Sequence, residues 1–388
     1  MTDADKVLVV GAGPVGLAAA LELTRFGQAV QIIEERRTRS AYSKAMGINT
    51  RTLELLEPSD VTRRLLERGL RIPRVRVSTG EQALFTIDFS RLPHRYNYML
   101  GLPQSETERI LETRLNELGV SVDRGVRFEQ LHQAPDGVTA VVSRDGHHGE
   151  LSARYLVGAD GAHSRVRQVL NIDFPGTRMR DHWSLADIRA ESTGDPEAAR
   201  VVFGPDGVLF MLRFQRDIFR VASNRPDVLS RLPPELKAGE VLWQSEFQVS
   251  HRQAARYARD RVFLVGDAAH LHSPLGARGM NLGIEDACTL AVCIVNACAR
   301  HYGRNRHRAG AAAIRMIRAQ TGLATAVNPF ARTVRAQVLP RLLHIGPLHD
   351  ALARRMLGLG YETGDCDRLA LARRDTAHEV GSTLVHKY

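Results

Sequence analysis

Cysteine is scarce in this chain and shows no pattern typical of a structural role. The 388 residues include four cysteines, none of which forms a CxxC pair: Cys288, Cys293, Cys298 and Cys366. Four cysteines are too few for a disulfide framework, and their spacing offers no zinc site. The first two lie in a predicted helix, where side chains five positions apart diverge by about 140° and cannot bridge. We expect buried thiols, no metal ion and a reducing, cytoplasmic environment.

Long apolar runs are missing as well. No uninterrupted apolar stretch approaches the ~18 residues that a membrane-spanning helix needs. The first apolar run, residues 7–10, follows an acidic start and enters a glycine loop at once, which is not the pattern of a signal peptide. A composition of 44% hydrophobic and 25% charged residues is ordinary for a globular protein. We expect two domains and no integral membrane association.

Acidic residues are nearly absent from residues 301–360, which contain ten arginines and one acid, Asp350. This segment accounts for nearly all of the net charge of +10. Such an excess raises the question of nucleic acid binding, but aromatic residues for base stacking are few and the arginines alternate with apolar residues at helical spacings. The pattern favours solvated helix faces and no nucleic acid partner. An anionic substrate, a membrane surface and an acidic partner stay open.

The first 37 residues have the pattern of a βαβ unit. An apolar strand enters a GxGxxG loop at Gly11, Gly13 and Gly16, a helix follows, and a second strand ends at Glu34. In such units the first glycine makes the tight turn, the second lets a pyrophosphate approach the backbone, and the third packs the helix on the strand. The terminal acid accepts ribose hydroxyls, which argues against a 2′-phosphate, although Arg36 leaves NADP open.

A second strand and loop occupies residues 261–286. Its apolar strand ends at an acid, a loop with proline and glycine follows, and a helix is predicted from Met280. Glycines let the backbone approach a flat ring, and the N–H groups at a helix start favour an electron-rich group. The candidate binding residues of this stretch are Gly266, Asp267, Pro274, Gly276, Gly279, Met280 and Asn281.

Three further segments carry candidate residues. Asp160 and Gly161 end a buried strand, and Ser164 is placed to cap the helix that follows. A basic loop containing Lys44 precedes a helix that Asn49 or Thr50 would cap, and it can reach a phosphate or a ring. An amphipathic helix is predicted over residues 104–118.

Alternating and β-rich runs in residues 75–88 and 177–255 predict strands of one antiparallel sheet. We expect substrate-facing side chains in this sheet, although each candidate is more often core or surface than ligand-facing. The candidates are Phe203, Phe210, Met211, Arg213 and Arg220.

Together these motifs resemble the group A flavin monooxygenases, the para-hydroxybenzoate hydroxylase family, which includes aromatic polyketide hydroxylases. The resemblance spans roughly residues 5–360 and rests on three motifs in the family's order: GxGxxG with its acid, the DG motif at Asp160 and the GD motif at Asp267. It implies an α/β fold in which a Rossmann-like FAD-binding domain is interleaved with an antiparallel β-sheet substrate domain and followed by C-terminal helices. The boundaries we expect are 1–74, 101–176 and 256–300 for the FAD-binding domain, 75–100 and 177–255 for the substrate domain, and 301–388 for the C-terminal segment.

The resemblance also assigns roles to residues. Glu34 would bind the adenosine ribose of FAD, Gln104 the ribityl or phosphate region, and Asp267 the ribityl chain. The N–H groups of Met280 and Asn281 would meet the pyrimidine edge of the flavin. The full cofactor-binding set is Gly11, Gly13, Pro14, Val15, Gly16, Glu34, Glu35, Arg36, Lys44, Gln104, Asp160, Gly161, Gly266, Asp267, Pro274, Gly276, Gly279, Met280 and Asn281.

The implied reaction uses NADPH or NADH as a transient electron donor. Reduced FAD would add O₂ at C4a and transfer the terminal oxygen of the hydroperoxide to an aromatic substrate, phenolic or polyketide-like. The carbonyl of Pro274 would lie by the oxygen-transfer site, and Arg278 would stabilise negative charge on reduced flavin. His270 and His272 are acid/base candidates, but the first of them is structural in this family. Because the cofactor carries the chemistry, neither a catalytic triad nor a metal site is expected. The protein would be a monomer or a homodimer.

Two departures from the family pattern are visible. Lys44 stands where the family usually has arginine, which keeps the charge but loses the planar fork. The chain also stops soon after Gly360, where longer relatives continue into a thioredoxin-like third domain, so we expect that domain to be absent. A flavin-dependent halogenase would show a WxWxIP motif, whereas Trp183 and Trp243 stand alone. The remaining alternative is a flavoprotein that binds FAD and a hydrophobic ligand without hydroxylating it.

Overall fold

A computed structural model describes residues 5–39, 45, 47–80, 82–192, 198–215, 217–274, 278–326 and 328–360. Its strands, in chain order, are β1 Val7–Val10, β2 Val30–Glu34, β3 Gly47–Ile48, β4 Leu70–Ile72, β5 Arg74–Thr79, β6 Gln82–Asp88, β7 Met99–Gly101, β8 Val122–Arg124, β9 Arg127–Gln133, β10 Val138–Arg144, β11 His147–Ala153, β12 Tyr155–Gly158, β13 Gly176–Ser192, β14 Ala198–Phe203, β15 Val208–Arg213, β16 Ile218–Ser223, β17 Leu236–Gln253, β18 Ala258–Arg259, β19 Val262–Leu264 and β20 His270–Leu271. Its α-helices are α1 Pro14–Arg25, α2 Thr50–Leu55, α3 Val61–Arg68, α4 Gln104–Glu117, α5 Arg165–Val169, α6 Arg278–Val295, α7 Ala299–Thr325, α8 Pro329–Thr333, α9 Leu339–Leu343 and α10 Gly346–Met356.

One of the two large sheets has six strands, in the order β18-β19-β12-β1-β2-β8. Strand β1 is parallel to β2 on one side and to β12 on the other, and β19 continues the parallel set beyond β12. Helices α1 and α6 pack against each other over this sheet. Since the parallel strands are covered and buried, they read as continuous apolar runs such as Val7–Val10.

The other large sheet has eight strands, in the order β20-β17-β13-β16-β15-β14-β5-β6. Its longest strands, β13 and β17, are antiparallel neighbours, and β5 joins it in parallel beside β14. The sheet is therefore antiparallel except at this pair, where the prediction of an antiparallel sheet is wrong. Strands from residues 74–88 and from residues 176–253 therefore share one sheet, although about ninety residues of chain separate them.

Both faces of the eight-stranded sheet are packed. One face carries Trp183, Val208 and Leu212 and is covered by the C-terminal helices through Ala353 and Leu357. The other face carries Ala186, Ile188, Leu209, Met211, Phe219 and Val221, which pack against Val228 and Leu236. Successive strand residues point to opposite faces, so neighbours in sequence fall into different cores.

Predicted element types agree with the observed ones, whereas several boundaries differ. Helix α1 begins at Pro14, inside the GxGxxG sequence and not after it, because proline is already set for the first helical position. Helix α6 begins at Arg278, so Gly279 lies in the first helical turn and not in the preceding loop. Cys288 and Cys293 are buried free thiols in α6, as expected, and Cys366 lies outside the described residues. Within the described part of the chain, no helix is long and apolar enough to cross a lipid bilayer.

Candidate functional site

The candidate site lies where the order of the six-stranded sheet reverses. The chain passes from β1 to β2 on one side and returns through β12 and β19 on the other, so the carboxyl end of β1 is a topological switch point. Ligands of open α/β sheets bind in the crevice at such points. The glycine loop, Glu34, Asp160 and Asp267 follow β1, β2, β12 and β19 respectively, and the parallel pairing brings these four motifs to one edge of the sheet.

The glycine loop is close-packed on one side and open on the other. Gly11 has a φ of +102°, and a Cβ there would lie 2.5 Å from the carbonyl oxygen of Ala159. A Cβ on Gly16 would lie 1.9 Å from the carbonyl oxygen of Gly11. Around Gly13, by contrast, no atom lies within 4 Å of the Cβ position. The loop therefore leaves free space beside Gly13, at the N-terminus of α1, where a phosphate would approach the backbone.

Glu34 is held at the end of β2 by the backbone. Its Oε2 accepts a hydrogen bond from the Ala12 N–H at 2.8 Å, and its Oε1 accepts one from the Arg36 N–H at 3.0 Å. The Arg36 guanidinium, which is largely exposed, also donates to Oε1 at 3.2 Å. The side chain of Glu35 points away and lies 3.6 Å from Arg127. Glu34 is thus fixed beside the glycine loop with lone pairs left for a ribose.

The DG motif is tied to the GD motif by Arg167. Asp160 accepts a hydrogen bond from the Val166 N–H at 3.0 Å, and Ser164 caps α5 by accepting from the Arg167 N–H at 3.0 Å. The Arg167 guanidinium donates to the carbonyl of Ala268 at 2.9 Å, in the turn that contains Asp267. Burial raises the pKa of Asp160 above its ordinary value. The two motifs are therefore joined by a direct hydrogen bond.

The carboxylate of Asp286, on α6, holds the turn that contains Gly266 and Asp267. Its Oδ2 accepts hydrogen bonds from the Gly266 N–H at 3.1 Å and from His270 Nε2 at 2.6 Å. Its Oδ1 accepts from Arg306 Nε at 2.7 Å, and all three side chains are almost completely buried. Burial alone would raise the pKa of Asp286, but Arg306 and His270 hold it below the ordinary value. The sequence interpretation did not identify the pair of Asp286 and Arg306, because the two residues lie on different helices, α6 and α7, and only the packing of these helices brings them together.

Asn281 joins the start of α6 to the start of α2. Its Oδ1 accepts from the Asn49 N–H at 3.0 Å, and its Nδ2 donates to the carbonyl of Gly47 at 3.0 Å. Asn49 in turn caps α2 by accepting from the Thr52 N–H at 2.9 Å. Two backbone segments, β3 and the first turn of α6, are thereby held side by side, with Met280 buried next to Asn281.

Arg278 is buried and lies close to an acid. It is 1% exposed, and its Nη2 lies 3.4 Å from Glu285 Oε1. A Cβ on Gly358 would lie 2.7 Å from the Arg278 Nη1, so the end of the C-terminal helices covers this cation. The carboxylate of Glu285 also lies 3.6 Å from Arg306. A chain of alternating charges consequently runs from the first turn of α6 to Asp286.

His272 is an uncharged imidazole near the same helix start. Its Nδ1–H donates to the carbonyl of Ser273 at 3.0 Å, which leaves Nε2 as the acceptor nitrogen. Burial, with His270, Arg278 and His251 nearby, lowers the pKa of His272 to about 3. Its ring stacks on that of His270 at a centroid distance of 6.2 Å. The ring is also near Gly279, whose Cβ position is 3.8 Å from His272 Cε1.

The five candidate substrate residues fall on both faces of the eight-stranded sheet. Phe203 and Phe210 lie on the face covered by the C-terminal helices, and Phe210 stacks on Trp183 at 5.9 Å. Met211 lies on the opposite face, and so does Arg213, whose guanidinium is 6.0 Å from the Phe219 ring. The structure therefore does not bring these five residues to one surface.

The guanidinium of Arg220 forms hydrogen bonds with other groups of the protein. Two of its nitrogens donate to the Asp187 carboxylate at 2.6 Å each, and its Nη1 donates to the carbonyl of Ala45 at 2.8 Å. Its guanidinium also lies 5.4 Å from the ring of Trp243. It connects the eight-stranded sheet to the segment before β3, which is a positioning role.

The remaining predicted residues are placed as follows. Gln104 begins α4 and donates to Glu108 at 2.8 Å, and burial raises the pKa of Glu108. Asp267 is exposed between the buried residues Gly266 and Ala268, at the edge where the four motifs meet. Pro274 is partly buried, and Lys44 and Gly276 lie outside the described residues.

These features fit a bound dinucleotide with a flat ring. Along the sheet edge the order is the fixed carboxylate of Glu34 at β2, the open space at Gly13 after β1 and the exposed carboxylate of Asp267 after β19, which suit a ribose, a pyrophosphate and a polyol chain respectively. A parallel sheet with this site, joined to an antiparallel sheet, defines an FAD-binding oxidoreductase of the Rossmann type. The FAD binding domain family matches residues 4–315, and the chain belongs to this family.

Relatives of known name are similar over most of the chain. An uncharacterized aromatic compound monooxygenase of Bacillus subtilis is 33% identical, over 82% of this chain and 68% of its own length. A dialkyldecalin synthase of Streptomyces rugosporus is 33% identical, over 82% of this chain and 72% of its own. The solved structure of an anhydrotetracycline hydroxylase from Streptomyces rimosus is 28% identical with a TM-score of 0.76, covering 92% of this chain and 77% of that one. For several other curated relatives the chain spans less than two thirds of their length, 57% to 62%.

Proposed function

We propose that this protein is an FAD- and NAD(P)H-dependent monooxygenase that hydroxylates an aromatic substrate, phenolic or polyketide-like. The observation that carries the proposal is the meeting of the glycine loop, Glu34, Asp160 and Asp267 at the switch point of the parallel sheet. Membership of the FAD-binding family supports the cofactor, and the similarity to an aromatic compound monooxygenase and an anhydrotetracycline hydroxylase supports the reaction class.

In this proposal the glycine loop and the start of α1 hold the pyrophosphate, Glu34 the adenosine ribose and Asp267 the ribityl chain. The backbone N–H groups of Met280 and Asn281, at the first turn of α6, face the electron-rich edge of the ring, where the helix dipole favours negative charge. When bound, FAD supplies the redox chemistry: it takes electrons from a nicotinamide and delivers one oxygen atom of O₂ to the substrate.

The protein's own part in this reaction is to position the aromatic ring and exclude water. Trp183 is fully buried and stacks with Phe210 at 5.9 Å and with Phe247 at 6.4 Å, on the face of the eight-stranded sheet that the C-terminal helices cover. This aromatic cluster is packed core, so in this proposal it stiffens the sheet that would position the substrate and does not itself contact the substrate. A dry site also keeps the reactive oxygen from being lost as hydrogen peroxide.

Neutral His272 has a defined place in this proposal. Because its Nδ1–H is taken by the carbonyl of Ser273, its Nε2 is an acceptor for a hydroxyl proton. A phenol that donates to this nitrogen has a more electron-rich ring, which favours attack by an electrophilic oxygen. Pro274, two residues later, would then place its carbonyl beside the same ring.

A second function has specific support. Dialkyldecalin synthase is as similar to this chain as the aromatic compound monooxygenase is, and its name describes no hydroxylation. The alternative is an FAD-binding protein that closes around a hydrophobic ligand without transferring oxygen to it.

Anaerobic stopped-flow reduction separates the two functions. The purified protein is mixed with NADPH or NADH across a panel of phenols, quinones and polyketide aglycones, and the absorbance of oxidised flavin is followed. We expect one aromatic class to accelerate reduction strongly and to acquire ¹⁸O from ¹⁸O₂ on re-oxidation. A flavin that no ligand makes reducible by either nicotinamide would favour the alternative, and a protein that cannot be loaded with FAD would contradict both.

A further inference from the structure

Exposed apolar side chains are concentrated on the C-terminal helices. Among the described residues, seven large hydrophobic side chains are substantially exposed, and five of them lie between residues 330 and 348. We call these five the apolar strip: Phe330 (80% exposed), Val338 (41%), Leu342 (42%), Ile345 (50%) and Leu348 (45%). The other two, Leu70 and Val241, are on other elements. Isolated exposed apolar residues are ordinary on a protein surface, but a concentration of them marks an interaction site.

Helix geometry aligns three of the five residues of the strip, and Ile345 and Leu348 follow at the start of α10. Residues 329–343 are continuously helical: α8, a π-helical turn over Val334–Val338, and α9. In an α-helix, positions four apart drift by about 40° around the axis. A π-turn holds more residues per turn and offsets this drift, so that Phe330, Val338 and Leu342 stay on one side. Ala331 and Arg335 are buried on the inner side of the same helix.

The surface around the strip is positively charged. Residues 328–360 contain five arginines and a single acid, Asp350. Arg335 is used internally, since its Nη1 donates to three carbonyls between Leu323 and Ala326 at 2.7–2.9 Å. Asp350 is near His349, at 3.0 Å, and Arg91, at 3.9 Å, so its charge is offset locally. The other four arginines are exposed: Arg332, Arg341, Arg354 and Arg355.

The charge decides between two kinds of partner. In a symmetric dimer built on the strip, the same surface of each copy would meet itself and place arginine near arginine. Like charges brought together across an interface oppose association. An anionic surface, in contrast, is complementary to the net positive charge of this segment, while the apolar side chains require an apolar layer directly beneath the charges. Arg332 is not part of this match, because it donates to the carbonyl of Pro205 at 2.6 Å and lies about 200° around the helix from Phe330.

We propose that the apolar strip is a peripheral docking surface for an anionic lipid bilayer. A helix that carries Phe and Leu on one side and arginines beside them lies in the membrane interface, where apolar side chains enter the acyl boundary and cations remain with the phosphates. Arg341 precedes Leu342 directly, and Arg355 lies two helical turns beyond Leu348 on the same side of α10. This docking is independent of the reaction proposed above.

Vesicle flotation of the full chain tests the proposal. Vesicles of phosphatidylcholine alone are compared with vesicles containing about 30% phosphatidylglycerol, at about 0.1 M and about 0.5 M salt. We expect the protein to float with the anionic vesicles, to bind neutral vesicles at least about tenfold more weakly, and to lose most of the anionic preference at high salt.

Substitutions locate the contact. Ile345→Ser with Leu348→Ser is expected to weaken binding to anionic vesicles at least about tenfold, because two apolar side chains no longer enter the bilayer. Val241→Ser is the matched control, since Val241 is equally exposed but lies on β17, and it is expected to bind normally. Arg341→Glu is expected to weaken binding about tenfold through charge reversal, whereas Lys237→Glu, exposed on β17, is not.

Each contrary result overturns the proposal. Absence of flotation with anionic vesicles does so directly, and equal loss in the strip variant and the Val241 control shows that binding does not use the strip. A concentration-dependent dimer in sedimentation velocity that disappears in the strip variant, without lipid binding, would assign the surface to a second copy. Since the substituted side chains are exposed, thermal unfolding of all variants is expected to match that of the unmodified protein.

Discussion

Arg278 is a buried cation in the first turn of α6, and its guanidinium lies close to the carboxylate of Glu285. Its distance of 3.4 Å from Glu285 reduces the positive potential that it would otherwise exert at the first turn of α6. A buried pair of this kind responds strongly when one partner is removed, because charges in a low-dielectric interior are poorly screened. The redox potential of a flavin near this turn is therefore a direct measure of the pair.

We predict opposite shifts in that potential for two neutral substitutions. Arg278→Met should lower the potential of bound FAD, because reduction adds negative charge that the arginine no longer favours. Glu285→Gln should raise it, because the counter-charge is lost. Shifts of about 30 mV, equivalent to about 1.4 kcal/mol for two electrons, are expected by spectroelectrochemical titration. Unchanged potentials in both variants, with FAD still bound, would place the pair away from the ring.

His272 makes stability depend on pH. Its pKa in the folded protein, about 3, is below the ordinary value of 6.5. Below pH 6.5 the unfolded chain takes up a proton that the folded chain refuses, so the stabilisation is complete above pH 6.5 and declines as the pH falls toward 3. The free energy of unfolding should decrease by up to about 1.4 kcal/mol per pH unit in this window.

Urea unfolding between about pH 7 and about pH 5 isolates this contribution. His272→Gln should flatten the pH dependence, whereas His147→Gln, at an exposed position, should leave it as in the unmodified protein. The same slope in the His272 variant as in the control would show that another group is responsible. A loss of hydroxylation with unchanged FAD content in the His272 variant would support the acceptor role as well.

Among the structural elements, the loop between β1 and α1 contains one glycine that is needed for packing and another that is needed for contact with a ligand. Gly16 lies against the carbonyl of Gly11, and Gly13 faces open space, although both belong to the same GxGxxG sequence. Gly16 is required because no side chain fits beside the Gly11 backbone, whereas Gly13 is required only so that a ligand can approach the loop. Substitution of each by alanine distinguishes these two demands.

We expect Gly13→Ala to fold normally but to lose FAD, and Gly16→Ala to lose both stability and FAD. At Gly16 the new Cβ must displace the Gly11 backbone, which costs about 1–3 kcal/mol as overpacking does in a core. Thermal unfolding of the apoproteins and flavin absorbance after desalting are the two measurements. Normal FAD retention in the Gly13 variant would remove this loop from the binding site.

In the molecule as a whole, Asp187 and Arg220 connect the eight-stranded sheet to the chain segment that precedes β3. The pair lies on the antiparallel sheet, and Arg220 reaches the carbonyl of Ala45 in the part of the chain that leads into β3. This contact joins residues 175 positions apart. The buried ion pair and its backbone acceptor are thus one of the connections between the eight-stranded sheet and the chain segment that leads into β3.

A double-mutant cycle should show strong coupling in this pair. Arg220→Met or Asp187→Leu alone is expected to cost about 3–5 kcal/mol, because each leaves an uncompensated buried charge. The double variant should be less destabilised than the sum of the two, with a coupling of about 0.5–3 kcal/mol in urea unfolding. Additive losses would mean that the charges do not interact in solution.

The local elements follow from short stretches of the amino-acid sequence. Period-two and continuous apolar patterns located β5, β6 and the core strands, and the GxGxxG spacing located the β1–α1 turn. Of the two caps predicted for α2, Asn49 and Thr50, the structure shows Asn49. The family was also identified from motif order alone. These features depend on neighbours within a few positions, where periodicity and turn chemistry are decisive.

Contacts between side chains that are far apart in the sequence became visible in the folded structure alone. It placed Asp286 between Gly266, His270 and Arg306, and it showed Arg220, a substrate candidate in the sequence, bound to Asp187 and Ala45. It also showed that Phe210 and Met211 lie on opposite faces of one sheet. The physical reason is that strand register and helix packing set these contacts, and both arise from burial summed over the whole chain, which no local pattern records.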